Sequence, residues 1–563
     1  MARGVSHLLV CGVTTECCVT TTVREANDRG FQACVLADCT GGFDAAFVRA
    51  SLDMVTAFDG LFGFTALSAE LLEAADAFGS GGLQQMPPAR SDDDQGFSVS
   101  MLAASYKQRL LTPKATVEVA YARIEEYSKK DPSVWIYLRP KQIVMQEAQV
   151  LESKYSGLET LHLPPLYGIP FAVKDSFDVE GIETTAGCPA YSYVATSTSP
   201  LIASLLKAGA LLLGKTNMDQ LATGLTGCRS AYGTPTSVYG DGKYIAGGSS
   251  SGSAVAVAAN LVSFALGTDT AGSIRAPAAF NGIFGYKPTK GTLSARGMVP
   301  ACRSLDTAAI FTRFVQDARK VWYILDEYDS EDAYAKEPSS LPLGLADYRP
   351  LREAGLHFAV PPDSALEACT RAYRAAFASA CQLLQSMGGR LIRLTDDAYR
   401  PFRIATELLY SGSLVSERIA CIGHDFISQN LNKLHPATKS VFSGVLARNT
   451  KSWDVFSDQM AQAEATRQAA RLFSQRHGKI EVLITPTVPC HPTAAEVQAD
   501  PIALNARLGV FMHFANVLDL CAVSINVGRV DDGMPFGLQL VCASGMDGKL
   551  LDLAKELELE MGA

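Results

Sequence analysis

A serine with no histidine close to it in the sequence is the first feature that suggests chemistry. Ser273 lies in GTDTAGSIRAP (267–277), directly after Ala271 and Gly272. The chain holds eight histidines, and none lies in this segment. A serine hydroxyl is a weak nucleophile that needs a base within hydrogen-bond reach. If Ser273 is a nucleophile, a residue of another type must remove its proton.

A buried lysine could supply that base. Burial disfavours the ammonium form, so a desolvated lysine loses its proton near neutral pH. Lys174 follows the apolar stretch LYGIPFAV (166–173) in a region dense in glycine and proline, which predicts a buried strand end. The alternative is a strand-end lysine that extends its amine to solvent.

The segment GGSSSGSAVAVAANL (247–261) combines a glycine and serine loop with a helix of small residues. It lies between apolar segments, so we expect it to be buried. A buried loop of this composition leaves many amides and hydroxyls that need partners. The pattern therefore favours a functional site over a flexible linker.

Together, PFAVKD, GGSSSGS and GTDTAGSIRAP resemble, in this order, the amidase signature family, and the resemblance extends from about residue 98 to Ala563. It implies Lys174 as the base, Ser249 as a serine after a cis peptide that relays the proton, and Ser273 as the nucleophile. Ser250 would hydrogen-bond around Lys174. No metal and no cofactor are implied.

The turn around the nucleophile predicts further roles. The backbone amides of Thr270, Ala271 and Gly272 can converge on a developing oxyanion, and losing one such donor typically costs about 100- to 1000-fold in rate. Asp269 and Arg275 flank the turn. We interpret them as a structural ion pair, with direct substrate contact as the alternative.

Three further stretches indicate which kind of amide is the substrate. They are RGMVPACRSLD (296–306), LLYSGSLVSER (408–418) and DPIALNARLGVFMHFANVLDLCA (500–522). With the serine loop, they resemble allophanate hydrolases, which implies a carboxylated urea derivative as substrate and ammonia as product. The resemblance assigns Tyr410 and Arg418 to the substrate carboxylate, which suits a guanidinium and a phenol. Gly412 can break the helix between them. The alternatives are a core Tyr410 and a surface Arg418, solvated or paired with Glu417.

Other functions stay open at this point: a general small-amide amidase, an amidotransferase-like subunit, or a truncated pseudo-enzyme. Allophanate hydrolases commonly carry a further C-terminal domain that handles decarboxylation of the first product. This sequence stops at Ala563. We therefore expect that step to be left to solvent or to another protein.

The N-terminal segment CGVTTECCVTTTVREANDRGF (11–31) resembles the isochorismatase-like cysteine hydrolases. The resemblance places the nucleophile at Cys18 and a cis peptide at Val13–Thr14. The aspartate and lysine of that family would lie upstream of this sequence. We therefore expect half a domain with a vestigial, inactive Cys18.

Sequence patterns divide the chain into three parts. Residues 1–75 read strand, helix, strand, helix, with the first helix ending at Gly30, which predicts a partial parallel sheet. Residues 76–97 have linker composition. Residues 98–563 predict one large α/β/α domain with a mixed central sheet, with helices meeting at Thr112–Pro113. Its strand candidates are LYGIPFAVKD, ALLLGKT, IEVLITPT and FGLQLVC.

The stretch GALLLGKT (209–216) matches the spacing of a phosphate-binding loop. Such a loop needs a flexible turn with inward-facing amides, and Ala-Leu-Leu-Leu favours a buried strand instead. We expect a core strand followed by a surface Lys215.

Composition also indicates which partners and which cellular location to expect. The net charge is −9, which argues against a nucleic-acid partner. The apolar stretches are too short and too interrupted to cross a bilayer, so we expect no membrane partner. The scattered cysteines predict a reduced, cytoplasmic environment. A small amide is the expected partner, and a homodimer is one option for the oligomeric state.

Overall fold

The computed structural model describes residues 7–28, 32–60, 63–68, 97–156, 163–337, 355–448, 450–473 and 480–561. The chain divides into two compact units, Met1–Gln95 and Gly96–Ala563. The predicted linker, apart from Phe97, lies outside the described residues.

The N-terminal unit contains a small parallel sheet of order β1-β2-β3. Its elements are β1 (His7–Val13), α1 (Thr20–Asp28), β2 (Gln32–Gly41), α2 (Ala45–Gly60) and β3 (Phe64–Ala66). The predicted alternation and the parallel pairing are confirmed. The third strand was not predicted, and the predicted helix end at Gly30 lies outside the described residues.

The larger unit is built on an 11-stranded sheet of order β13-β12-β14-β16-β15-β10-β11-β9-β5-β8-β4. Two short strands, β6 and β7, pair separately. The strands are β4 (Trp135–Leu138), β5 (Pro170–Lys174), β6 (Glu183–Thr184), β7 (Tyr193–Val194), β8 (Leu211–Thr216), β9 (Phe264–Asp269), β10 (Phe284–Lys287), β11 (Thr307–Thr312), β12 (His357–Val360), β13 (Arg390–Arg393), β14 (Val482–Pro486), β15 (Cys521–Arg529) and β16 (Pro535–Cys542).

Helices connect and cover these strands. They are α3 (Val99–Lys107), α4 (Pro113–Lys130), α5 (Lys141–Lys154), α6 (Pro200–Lys207), α7 (Ser251–Ala258), α8 (Arg275–Asn281), α9 (Val315–Leu325), α10 (Asp363–Leu366), α11 (Arg371–Ser386), α12 (Asp396–Tyr410), α13 (Leu414–Ile422), α14 (His424–Asn430), α15 (Pro436–Ala447), α16 (Ser452–Phe473), α17 (Ala494–Ala499), α18 (Ala503–Leu508), α19 (His513–Val517) and α20 (Asp547–Glu560).

The sheet is mixed, as predicted. Strand β5 pairs in parallel with β8 and β9, whereas β9 pairs antiparallel with β11. Every residue of β5, β8, β9 and β11 is buried, so both faces of the sheet are covered there. All four strand candidates are strands, and Thr112 caps α4 with Pro113 at its first turn, as expected.

The stretch GALLLGKT contains β8, so the predicted core strand is confirmed. The predicted surface position of Lys215 is wrong. Its side chain is fully buried and forms an ion pair with Asp175 at 2.9 Å. Lys215 Nζ also donates to Thr184 Oγ1 at 2.8 Å. A carboxylate supplied from β5's end therefore keeps this amine inside the protein.

In the part of the chain that the structure describes, no helix is both long and apolar enough to cross a bilayer.

Candidate active site

Lys174 ends β5, the third strand from one edge of the large sheet, and its side chain is fully buried. Its Nζ donates to Ser249 Oγ at 2.7 Å and to Thr268 Oγ1 at 2.6 Å. Thr268 belongs to β9, the parallel neighbour of β5. The strand pairing therefore brings the lysine to the serine loop and to the strand that leads to Ser273.

The surroundings of Lys174 favour the neutral amine. Burial is the main cause that lowers its pKa to about 7, and Arg418 lowers it further. The carboxylates of Asp219, Asp306 and Asp269 oppose this shift. A lysine with this pKa can accept a proton near neutral pH.

The loop before α7 presents Ser249 to the lysine. The Gly248–Ser249 peptide bond is cis, as the resemblance implies. Asp219 N–H donates to Ser249 O at 3.0 Å, and the Asp219 carboxylate accepts from Gly227 N–H at 3.0 Å. A Cβ at Gly248 would lie 2.1 Å from Asp219 Oδ2, so the loop can pack here only with glycine at that position.

Ser250 reaches Lys174 indirectly. Its hydroxyl accepts from Thr268 N–H and lies within hydrogen-bond distance of Thr268 O, both at 3.3 Å. Thr268 in turn accepts from the lysine. Ser251 begins α7, and its hydroxyl faces Asn217 O at 3.4 Å, away from these contacts.

Ser273 lies in the turn between β9 and α8 and is 3% exposed. Among the described residues, its hydroxyl has no hydrogen-bond partner. The structure thus joins Lys174 to Ser249 directly and places Ser273 five residues beyond Thr268. A hydroxyl without a competing partner is available to a substrate carbonyl.

An ion pair fixes this turn. Arg275 Nη2 lies 2.8 Å from Asp269 Oδ1, and both side chains are fully buried. Arg275 also donates to Gln539 Oε1 at 2.7 Å and to Asn516 Oδ1 at 2.9 Å. The interpretation of Asp269 and Arg275 as a structural ion pair is confirmed, because the Arg275 guanidinium donates its hydrogen bonds to acceptors within the protein.

The three predicted oxyanion donors differ in their surroundings. Gly272 N–H already donates to Asp269 Oδ1 at 2.8 Å. The N–H groups of Thr270 and Ala271 have no partner within the described segments. The Thr270 hydroxyl donates to the carboxylate of Asp306. Of the three, the amides of Thr270 and Ala271 therefore remain without a protein acceptor in the described residues.

Tyr410 and Arg418 lie on separate helices, as the glycine between them suggested. Helix α12 ends at Tyr410 and α13 begins at Leu414. The Arg418 guanidinium carbon lies 5.9 Å from the centre of the Tyr410 ring, so the break still brings the two side chains together.

Arg418 is neither solvated nor paired with Glu417, so the surface alternative is wrong. It is 2% exposed and donates to Ala222 O at 3.2 Å and Thr223 Oγ1 at 3.3 Å. Glu417 instead accepts from Ser304 N–H at 2.8 Å. No carboxylate of the described residues lies within 4 Å of the Arg418 nitrogens. Tyr410 is half-buried and packs against two hydrophobic clusters, so the core alternative stays open for it.

Several residues of this site were not assigned a role from the sequence. Thr268 binds the lysine, Asp219 holds the serine loop, Asp306 binds Thr270, and Asn516 donates to Asp269 O at 2.6 Å. Asp306 and Asn516 lie in the stretches that resemble allophanate hydrolases, which was the available signal. Within the described ranges, no group of three or more potential ligands could hold a metal ion.

Cys18 lies in the N-terminal unit, in a short helical turn (Thr15–Val19) that precedes α1. Its side chain is exposed and unpaired. The Val13–Thr14 peptide bond is cis, as the resemblance implies. The expected inactivity of Cys18 stays a prediction.

Comparison with known proteins identifies the family of the chain. Residues 115–551 match the family described as Amidase, and residues 1–66 match the Isochorismatase domain. The chain belongs to the amidase family. Both resemblances are thereby confirmed.

Three known proteins illustrate the similarity. Urea amidolyase of Saccharomyces cerevisiae is 36% identical over 425 residues, which cover 75% of this chain and 22% of that protein. Amidase 1 of Oryza sativa subsp. japonica is 31% identical over 417 residues, which cover 70% of this chain and 90% of that protein. The structure of Kluyveromyces lactis allophanate hydrolase matches with a TM-score of 0.72 and 34% identity. The match covers 82% of this chain and 72% of that chain. The chain thus spans less than a quarter of the urea amidolyase it matches.

Proposed function

We propose that the chain is a serine amidohydrolase that cleaves allophanate and releases ammonia through an acyl-enzyme on Ser273. The observation that carries this proposal is the 2.7 Å bond between Lys174 Nζ and Ser249 Oγ, which links a buried amine of pKa about 7 to the serine loop. A base and a relay are what the Ser273 hydroxyl needs to become a nucleophile.

The reaction runs in two halves. Ser273 Oγ attacks the carbonyl that bears the NH₂ group, while its proton passes through the Ser249 hydroxyl to neutral Lys174. The C–N bond then breaks, and the proton returns by the same path to the leaving NH₂, which departs as ammonia. Water next attacks the acyl-enzyme and gives a proton to Lys174. The C–Oγ bond to Ser273 then breaks, the proton returns through Ser249 to Ser273 Oγ, and the dicarboxylated amine leaves as product.

Two backbone amides stabilise the tetrahedral intermediates. Thr270 and Ala271 N–H supply the donors, since Gly272 N–H is engaged by Asp269. The Asp269–Arg275 pair holds the turn in place, so the donors require little reorganisation during the reaction.

The buried Arg418 supports a carboxylated substrate. Among the described residues, this guanidinium, which is 2% exposed, donates to a carbonyl and a hydroxyl, and no carboxylate forms an ion pair with it within 4 Å. Buried charges are normally paired. A substrate carboxylate beside Arg418 and Tyr410 would supply the missing charge, and relatives named urea amidolyase and allophanate hydrolase fit this choice.

A general small-amide amidase is the second candidate. The similarity to Amidase 1 of rice favours it, because the match covers 90% of that protein but only 22% of the urea amidolyase. We place either activity in residues 98–563, after a linker at 76–97.

Ammonia release from allophanate, biuret, urea and simple amides tests the proposal. Ser273→Ala should lose at least about 10⁴-fold in kcat, as removal of a catalytic nucleophile does elsewhere. Ser251→Ala is the matched control, because its hydroxyl faces Asn217 O, and it should retain activity. Activity should survive EDTA. Release from a neutral amide but not from allophanate would favour the second candidate.

A further inference from the structure

The proposed site has two parts, the turn that carries Ser273 and the pair of Tyr410 and Arg418. His513 lies between these two parts. Its ring centre is 5.1 Å from that of Tyr410. Its neighbour Met512 packs on the nucleophile turn, since a Cβ at Gly272 would lie 2.8 Å from Met512 Cβ. The backbone of 512–513 therefore connects the turn that carries Ser273 with the aromatic residue beside Arg418.

The imidazole of His513 is buried, and one of its nitrogens has no hydrogen-bond partner among the described residues. His513 is 3% exposed, and its Nε2 has no hydrogen-bond partner in the described part of the chain. Buried polar atoms are normally hydrogen-bonded, so an orphan next to a binding site points to a partner that the ligand supplies.

A glycine makes room for this ring. A Cβ at Gly509 would lie 1.9 Å from His513 Nε2. Gly509 has ordinary helical backbone angles (φ −84°), so the ring is what restricts this position to glycine. The histidine is therefore accommodated by a neighbour that leaves space for it.

Burial and two nearby guanidinium groups keep His513 neutral. Burial is the main cause that lowers its pKa to about 3, and the guanidinium groups of Arg275 and Arg418 add to this effect, whereas Asp269 opposes it. A neutral imidazole offers one N–H donor and one acceptor nitrogen. Allophanate offers both a carboxylate and an N–H at the same end.

We propose that His513 is a specificity-determining residue whose imidazole hydrogen-bonds the carboxylated end of the substrate beside Tyr410 and Arg418. This inference rests on the proposed function. It assigns Arg418 to the charge of the carboxylate and His513 to the planar N–H and carboxyl group that distinguish this substrate from a simple amide.

The test compares His513→Phe, which keeps a flat ring against Tyr410, with His513→Asn, which keeps a donor and an acceptor. Malonamate and malonamide serve as a carboxylated and a neutral substrate, next to allophanate. His513→Phe should lower the ratio of kcat/KM for malonamate to that for malonamide by about 10- to 100-fold, the effect of losing a hydrogen bond to a charged group. His513→Asn should restore most of that ratio.

Two controls separate a binding role from a structural one. His424 has a side chain that is 67% exposed, so His424→Phe should leave the ratio unchanged. Gly509→Ala should reproduce the loss seen in His513→Phe, because its Cβ displaces the ring. An equal loss for both substrates, or an unchanged ratio in His513→Phe, overturns the proposal.

Binding measurements keep this inference distinct from the proposed reaction. Malonamate binding to Ser273→Ala, measured by calorimetry, should weaken when His513→Phe is added. If the wild type releases no ammonia from allophanate, the proposed function fails, and weakened binding would still support the role of His513. Unchanged binding would refute that role even in an active enzyme.

Discussion

Lys174 determines how the site depends on pH. Its pKa, lowered by burial to about 7, makes the amine a base only when it is unprotonated. We expect kcat/KM to rise about tenfold per pH unit below 7 and to level off above it, since the neutral fraction grows in that direction. A pH profile between about 5.5 and 9 measures this.

The control for this profile is Lys174→Met, which should remove activity at every pH. A falling rate with rising pH through 7 would contradict the assignment of Lys174 as the base.

Arg418 should determine substrate choice. Arg418→Ala removes the buried guanidinium that faces the Tyr410 ring, so we expect kcat/KM for allophanate to fall about 100-fold or more, while a neutral small amide loses far less. Steady-state kinetics on both substrates measures the split. Equal losses on the two substrates would show that Arg418 acts on folding rather than on the carboxylate.

The residues that carry the chemistry could be inferred from the sequence because they occupy dense local motifs. Lys174, Ser249 and Ser273 each lie in a short segment whose composition is unusual for its surroundings. Asp219 and His513 could not be assigned, because their roles depend on contacts with distant segments, at Ser249 and Tyr410. Lys215 was misplaced because its partner Asp175 comes from another strand.

At the scale of elements, α13 is held to the loop before β11 by one carboxylate. Glu417 accepts from Ser304 N–H at 2.8 Å, from Ser304 Oγ at 2.6 Å and from Cys302 Sγ at 3.0 Å. The same loop ends at Asp306, which binds Thr270. This tether connects the helix that carries Arg418 with the nucleophile turn.

We expect Glu417→Ala to raise KM for allophanate several-fold and to lower the free energy of unfolding by about 1–3 kcal/mol, because three donors lose their acceptor. Kinetics and urea denaturation measure these effects. Glu464→Gln, at an exposed position of α16, is the control and should change neither. A change in stability with an unchanged KM would show that the tether does not position Arg418.

Strands were predictable from apolar runs, whereas their order was not. The segments at β5, β8, β14 and β16 are rich in apolar residues, and each forms a buried strand. The antiparallel β10 and β11, which separate β9 from β15, follow from pairing between distant segments. Local composition contains no information about such neighbours.

At the scale of the whole molecule, the proposed site belongs to one unit. Among the described residues, the hydrogen-bond partners of Lys174, Ser249, Asp219 and Arg418 lie within Gly96–Ala563. The N-terminal unit has its own small core, formed by Val19, Val23, Val35 and Val55 among others. Composition predicted two units because their patterns differ on either side of the polar stretch at 76–97.

This separation predicts that Cys18 takes no part in ammonia release. Cys18→Ala in the full chain should leave kcat and KM for allophanate unchanged, because the cysteine lies in Met1–Gln95 and the proposed nucleophile lies in Gly96–Ala563. A fragment of residues 98–563 should melt in a single transition and retain the activity of the full chain, because the site and its buried partners fold together. Loss of activity in either protein, with folding intact by circular dichroism, would mean that the N-terminal unit contributes to the reaction.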